Sequence, residues 1–173
     1  MAGELYTRTN QKIFYAGLSL ESWLKAEEGR AMNAQALVQA EREATLFHLY
    51  GALLGLCHEI AGFYRLPNSS AARAEVLLDR QSLSGAPSPE LAELVELAEN
   101  RQTWLGQLLA AHAELFKPPR QPREPKGDPS TSALIEAVSL GDEPPLLERE
   151  TLEGWRQALK ALAQRFREGL SEW

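Results

Sequence analysis

Residues 44–64 read ATLFHLYGALLGLCHEIAGFY. Twenty-one residues pass without a Lys, Arg or Asp, and the only strongly polar side chains are His48, His58 and Glu59. At 100° per residue, Leu46, Leu49, Leu53, Leu56, Ile60 and Tyr64 fall on one side of a helix. Ala40, Ala44, His48, Gly51, Gly55, His58 and Gly62 fall on the other. A helix that is apolar all round is normally buried all round. The stretch therefore predicts a central helix, beginning near a cap at Asn33 and ending at Arg65, around which the other helices pack. Each Gly inside a helix costs about 1 kcal/mol relative to Ala. Three of them at helical spacing predict a neighbouring helix held close over Gly51 and Gly55, with Ala16 and Gly17 as candidates to meet them.

About 20 apolar residues also suffice to cross a bilayer, and Gly51 and Gly55 stand at the GxxxG spacing of membrane helix pairs. Glu59 and the two His lie inside the window, and the chain around it is charged and amphipathic. These features favour a buried core helix, and no membrane partner is expected.

Working outward, residues 4–28 form a first helix, in which Tyr6, Thr9, Ile13, Ala16, Leu20 and Trp23 repeat at three and four. Gly29 suits its stop, and the short gap before Asn33 makes the first two helices antiparallel neighbours. Pro67 ends the second helix, because the residue before Pro avoids helical geometry. A shorter helix follows over 68–83. Ser88, Pro89 and Glu90 give a helix start, and the helix runs to about Phe116 with Leu91, Leu94, Val95, Ala98, Leu105, Leu109, His112 and Phe116 inward. Residues 117–129, KPPRQPREPKGDP, hold five Pro and four Lys or Arg. Such a stretch is extended and polyproline-like. Residues 133–140 are short and apolar. A last helix runs over 147–172, with Leu152, Trp155, Leu159, Leu162, Phe166, Gly169 and Trp173 in a three-four repeat. No convincing period-two strand pattern occurs. The fold class is all-α: an antiparallel helical bundle of four main helices plus a short helix. Residues 1–173 form one domain, and a basic Pro-rich crossover linker at 117–132 precedes the last helix.

A chain of 173 residues buries enough surface to need no disulfide staple. Its one cysteine, Cys57, lies in the apolar helix and reads as a small buried hydrophobe. A single Cys and the lack of a basic-apolar-small leader predict a cytoplasmic location. The net charge of −6 carries no nucleic-acid signature.

His48, Gly51, Gly55, His58, Glu59 and His112 are the candidates for a ligand pocket along the small-residue face. His48 and His58 share that face about 15 Å apart, too far to hold one ion together. No Glu-x-x-His pair exists to build a di-iron carboxylate bundle. Satisfied polar groups in a helix interface are the plainer reading, so no metal, cofactor or catalytic residue is expected. Arg42 and His48 resemble an Arg-then-His spacing in helical RNases of the HEPN type. The resemblance stops at those two residues, which sit about 120° apart on a helix. Arg120, Arg123 and Lys126 in the linker, with two PxxP spacings, offer a docking arm for an acidic partner or for RNA. Trp173 is a candidate to dock on a partner subunit. Phosphate loops, a nucleophile elbow, paired Cys and HExxH are all absent from the sequence.

The segments GELYTRTNQKIFYAGLSLESW and NAQALVQAEREATLFHLYGALLGLCHEIAGFYRLP resemble a family of small helical proteins of unknown function from Pseudomonas and related bacteria. The likeness covers roughly the first 116 residues. It implies a bacterial cytoplasmic protein with a helical fold, and it transfers no catalytic or binding residue. The residues taken together favour a non-enzymatic helical protein that acts through protein contacts, by self-association or as an adaptor. A ligand- or metal-binding bundle along the face bearing His48 and His58 is the first alternative, and RNA association through the linker the second.

Overall fold

A computed structural model describes residues 2–85, 87–119 and 146–171. Arg120, Arg123, Lys126, Trp173, most of the Pro-rich linker and the apolar stretch 133–140 lie outside the described residues. Among the described residues every regular element is a helix: α1 Ala2–Glu28, α2 Ala34–Phe63, α3 Ala74–Leu77, α4 Arg80–Gly85, α5 Pro89–Glu99, α6 Trp104–Glu114 and α7 Arg149–Ser171. The all-α reading holds.

α2 is the hub, in contact with α1, α3, α5, α6 and α7. Its bulky face is the predicted one: Leu46, Leu49, Leu53, Leu56 and Ile60 are buried. Leu53, Leu56 and Ile60 join Leu77, Leu91, Leu94, Leu105, Leu159 and Phe166 in one core cluster. Leu46 and Leu49 join Ala16, Trp23, Leu108, Leu152 and Trp155 in a second. α2 also has the length and composition of a membrane span, and 56% of its most apolar window is buried inside the fold.

α1 and α2 form an antiparallel hairpin. Leu5 lies over Gly62, Thr9 over Gly55 and Lys12 over Gly51, so rising numbers on α1 meet falling numbers on α2. Gly29 closes α1 by donating its N–H to the Lys25 carbonyl at 3.0 Å. Asn33 occupies the N-cap of α2 as expected, but its side chain makes no capping bond. α7 runs opposite to α1. Arg149 reaches Glu27, Arg156 reaches the Ile13 carbonyl and Arg167 reaches Asn10.

Two segments depart from the sequence reading. The helix expected over 89–116 is divided into α5 and α6 by a turn at 100–103. Thr103 caps α6, its Oγ1 accepting from the Gly106 N–H at 3.1 Å while donating to the Leu97 carbonyl at 2.5 Å. Asn100 Oδ1 accepts from the Gln102 N–H at 2.9 Å. These side-chain bonds offer the backbone an alternative to continuing the helix. The short helix expected over 68–83 is likewise two pieces, α3 and α4.

Candidate protein-interaction surface

The glycine stripe does what its spacing predicted, but against other residues. The Lys12 stem would lie 3.3 Å from a Cβ at position 51, and Thr9 Cα the same distance from one at position 55. Gly17 instead faces the Arg156 guanidinium of α7. The room left by Gly51 and Gly55 is thus taken by α1.

The three histidines go separate ways. Ten residues make 2.8 turns, so His48 and His58 diverge by about 80°. His48 is half-buried between Tyr15 and Phe47, each ring 5.5 Å away. Its Nδ1 is buried without a hydrogen-bond partner. Burial, then the Lys12 charge, holds this imidazole below its ordinary range. His58 has a different neighbour, and its Nε2–H donates to the Ala71 carbonyl at 2.6 Å. His112 stacks flat on Tyr50 at 3.7 Å. Burial pulls His112 down, with Glu75 opposing. Tyr50 donates to Glu75 at 2.6 Å and accepts from the Ala74 N–H at 3.1 Å. Cys57 is buried, and burial pushes its thiol up to about 12. Among the described residues no group of three or more His, Cys, Asp or Glu could hold a metal ion.

Glu59 belongs to a different constellation. Its carboxylate, 1% exposed, takes two hydrogen bonds from Arg167, at 2.8 and 2.7 Å. Arg167 also donates to Asn10 at 2.9 Å and lies over the Tyr6 ring at 4.7 Å. The Glu59 bonds hold the guanidinium above its already high range. This knot joins α1, α2 and α7, and it uses both carboxylate oxygens.

The unusual surface lies at the middle of α1. Phe14 is 58% exposed and Leu18 45% exposed, and Phe47 of α2 is 53% exposed. Ring contacts link Phe14 to Phe47 through Tyr15 and His48: Phe14 to Tyr15 at 6.5 Å, Tyr15 to His48 and His48 to Phe47 at 5.5 Å. The Lys12 ammonium lies 5.4 Å from the Phe47 ring and 5.8 Å from the Tyr15 ring. On the other flank α1 and α7 enclose two grooves. One of about 400 Å³ is lined by Phe14, Gly17, Leu18, Leu24 and Arg156 among others. One of about 310 Å³ holds Asn10, Phe14, Arg156, Lys160 and Arg167. Arg156 stands between them, its Nε donating to the Ile13 carbonyl at 3.0 Å and its Nη1 to Glu153 at 3.0 Å. A larger cleft of about 620 Å³ lies between the end of α2 and the α3 and α4 turns. The sequence did carry a signal for the aromatic surface. Phe14 and Leu18 are apolar yet stand outside the stripe through Ile13, Ala16, Leu20 and Trp23.

The model of a family of unknown function, DUF6586, matches residues 1–173, and the chain belongs to that family. No curated protein and no solved structure matches the chain.

Proposed function

We propose that this member of the family acts without catalysis, in the cytoplasm, by binding protein chains through the aromatic face of α1. The main helices act as an antiparallel four-membered bundle, α1, α2, the α5 and α6 pair, and α7, with the Pro-rich connection ahead of α7. One observation carries the reading. Phe14, Tyr15, His48 and Phe47 make a continuous half-exposed row of rings, and Leu18 lines a groove together with Phe14, while Ile13, Ala16, Leu20 and Trp23 on the same helix are buried. A contiguous exposed apolar patch rimmed by polar groups marks an interaction site more often than chance. Aromatic side chains in such patches carry much of the binding energy. Arg120, Arg123, Lys126 and Trp173 are secondary candidates for the same partner.

The test is native purification of the tagged full chain, with the mass of the eluted species measured by light scattering. Wild type should elute as a complex, with itself or with another protein, and Phe14→Ser should shed that complex while keeping its helical circular dichroism. A wild type that runs alone as a monomer, or a complex indifferent to Phe14→Ser, would refute the role of this face.

A further inference from the structure

We propose that the smaller groove between α1 and α7 binds a small aromatic carboxylate, with the ring on Phe14 and the acid group on Lys160 and the arginines beside it. This goes beyond the interaction reading and does not rest on it. The groove, of about 310 Å³, has a charge character of its own. Arg156, Lys160 and Arg167 line it, and among the described residues no carboxylate does. In a chain of net charge −6, three cations with no acid among the walls mark a place for an anion.

The two arginines are set before any ligand arrives. Glu59 holds Arg167 by two bonds, at 2.8 and 2.7 Å, and Glu153 holds Arg156 at 3.0 Å. On α1, Asn10 accepts from Arg167 at 2.9 Å and the Ile13 carbonyl accepts from Arg156 at 3.0 Å. Three residues of helix separate those anchors by about 4.5 Å, so the two guanidinium groups converge on one turn of α1. Their side chains are only 20% and 19% exposed. Donors already fixed by packing lose little freedom when a ligand binds. Arg156 Nη2 meets no acceptor among the described residues. Asn10 uses its Oδ1 on Arg167, which leaves its amide N–H groups for a ligand.

The balance of charge selects the ligand. Glu59 and Glu153 answer the two arginines from outside the groove. Lys160 is exposed and has no ion pair among the described residues. One positive charge is left over, and it matches one carboxylate rather than a phosphate dianion. Phe14 supplies the apolar half of the site. Its ring is 58% exposed at the groove wall, and a second ring can stack or sit edge-on against it. The volume is at the lower end of ligand pockets, which run from about 300 to 1,000 Å³, so a ring with one acid group suits it better than a nucleotide.

Isothermal titration calorimetry of the full chain with naphthoate tests the site. Wild type should bind naphthoate saturably, and naphthalenemethanol, the same ring without the charge, at least about tenfold more weakly. Lys160→Glu should raise the naphthoate Kd about tenfold, and Phe14→Ser should raise it several-fold. Arg30→Glu changes the net charge equally, at an exposed loop position outside the groove, and should leave the Kd unchanged. Lys160, Phe14 and Arg30 are all exposed, so the variants should fold, and circular dichroism checks it. Naphthoate that fails to saturate, that binds no better than the alcohol, or that loses as much to Arg30→Glu as to Lys160→Glu overturns the site. The light-scattering test of the aromatic face reads mass alone, so either proposal can fail without the other.

Discussion

Gly51 and Gly55 stand one turn apart on α2, and each meets α1 on different terms. A methyl group at position 55 would lie 2.6 Å from Thr9 Oγ1 and 3.3 Å from Thr9 Cα. Thr9 is buried, and its hydroxyl donates to the Leu5 carbonyl at 3.3 Å, so neither the backbone nor the side chain has room to give. Gly55→Ala should therefore destabilise the fold by about 1–3 kcal/mol, despite a gain in helix propensity of about 1 kcal/mol. At position 51 the nearest atoms belong to the flexible Lys12 stem. Gly51→Ala should keep most of its propensity gain and be neutral or stabilising by up to about 1 kcal/mol. Urea unfolding of the two variants separates them, and equal effects would contradict the contact geometry. That the glycines need a close neighbour was legible, because helical spacing alone reveals a stripe. The identity of the neighbour was not. It depends on the register of α1 against α2, which puts Thr9 and Lys12 rather than Ala16 and Gly17 over the stripe. The partners of the histidines were equally hidden: His48 meets Tyr15 of α1, while His58 meets the Ala71 carbonyl ahead of α3, and neither contact has a local signal.

At the scale of elements, helix ends decided where the sequence reading held. α2 stops where Pro67 required, and the stop is a Schellman motif. The Leu66 N–H donates to the Ala61 carbonyl at 2.8 Å and the Arg65 N–H to the Gly62 carbonyl at 3.3 Å. The motif places Arg65 in the left-handed region, at φ 53°, where Gly is the usual residue. A side chain there costs roughly 1–2 kcal/mol. Arg65 is exposed, and Leu66 anchors the motif in the core. Arg65→Gly should thus raise stability by about 1 kcal/mol, read as a higher urea midpoint with unchanged slope. No gain, or a loss, would show that Arg65 holds the turn by some other means. Proline announced this boundary, but nothing local announced that Arg would occupy the left-handed position. The turn at 100–103 is the opposite case. Asn100 and Thr103 are cap-forming residue types and were visible in the sequence, yet Leu94, Ala98, Leu105 and Leu109 keep a helical period only if the turn is ignored. Apolar periodicity reports which residues face the core, and a chain can keep its core face across a capped turn.

For the whole molecule, the all-α class was legible because the apolar residues recur at helical period in every long segment. What closes the molecule was not. Glu59 and Arg167 are 108 positions apart, and no local pattern connects them; the sequence showed only a carboxylate in a stretch with no cation to answer it. In the fold that carboxylate is almost wholly removed from water, and Arg167 ties it to Asn10 and Tyr6 of α1. Desolvating two charges offsets most of what their attraction returns, so such a pair adds little net stability, while breaking it strands a buried charge. Arg167→Ala should therefore cost about 3–5 kcal/mol. Replacing both partners by Met removes the stranded charge with the pair, and that double variant should recover most of the loss. Additive single effects in the double-mutant cycle would mean that the two side chains do not depend on each other, and the knot would not be what seats α7. Arg167 also lines the 310 Å³ groove beside Phe14. The Met double variant, with α7 reseated by apolar packing, should then keep a groove of the same walls but without its guanidinium. Any loss of the complex in that variant at full stability would assign Arg167 a second role, in the contact itself.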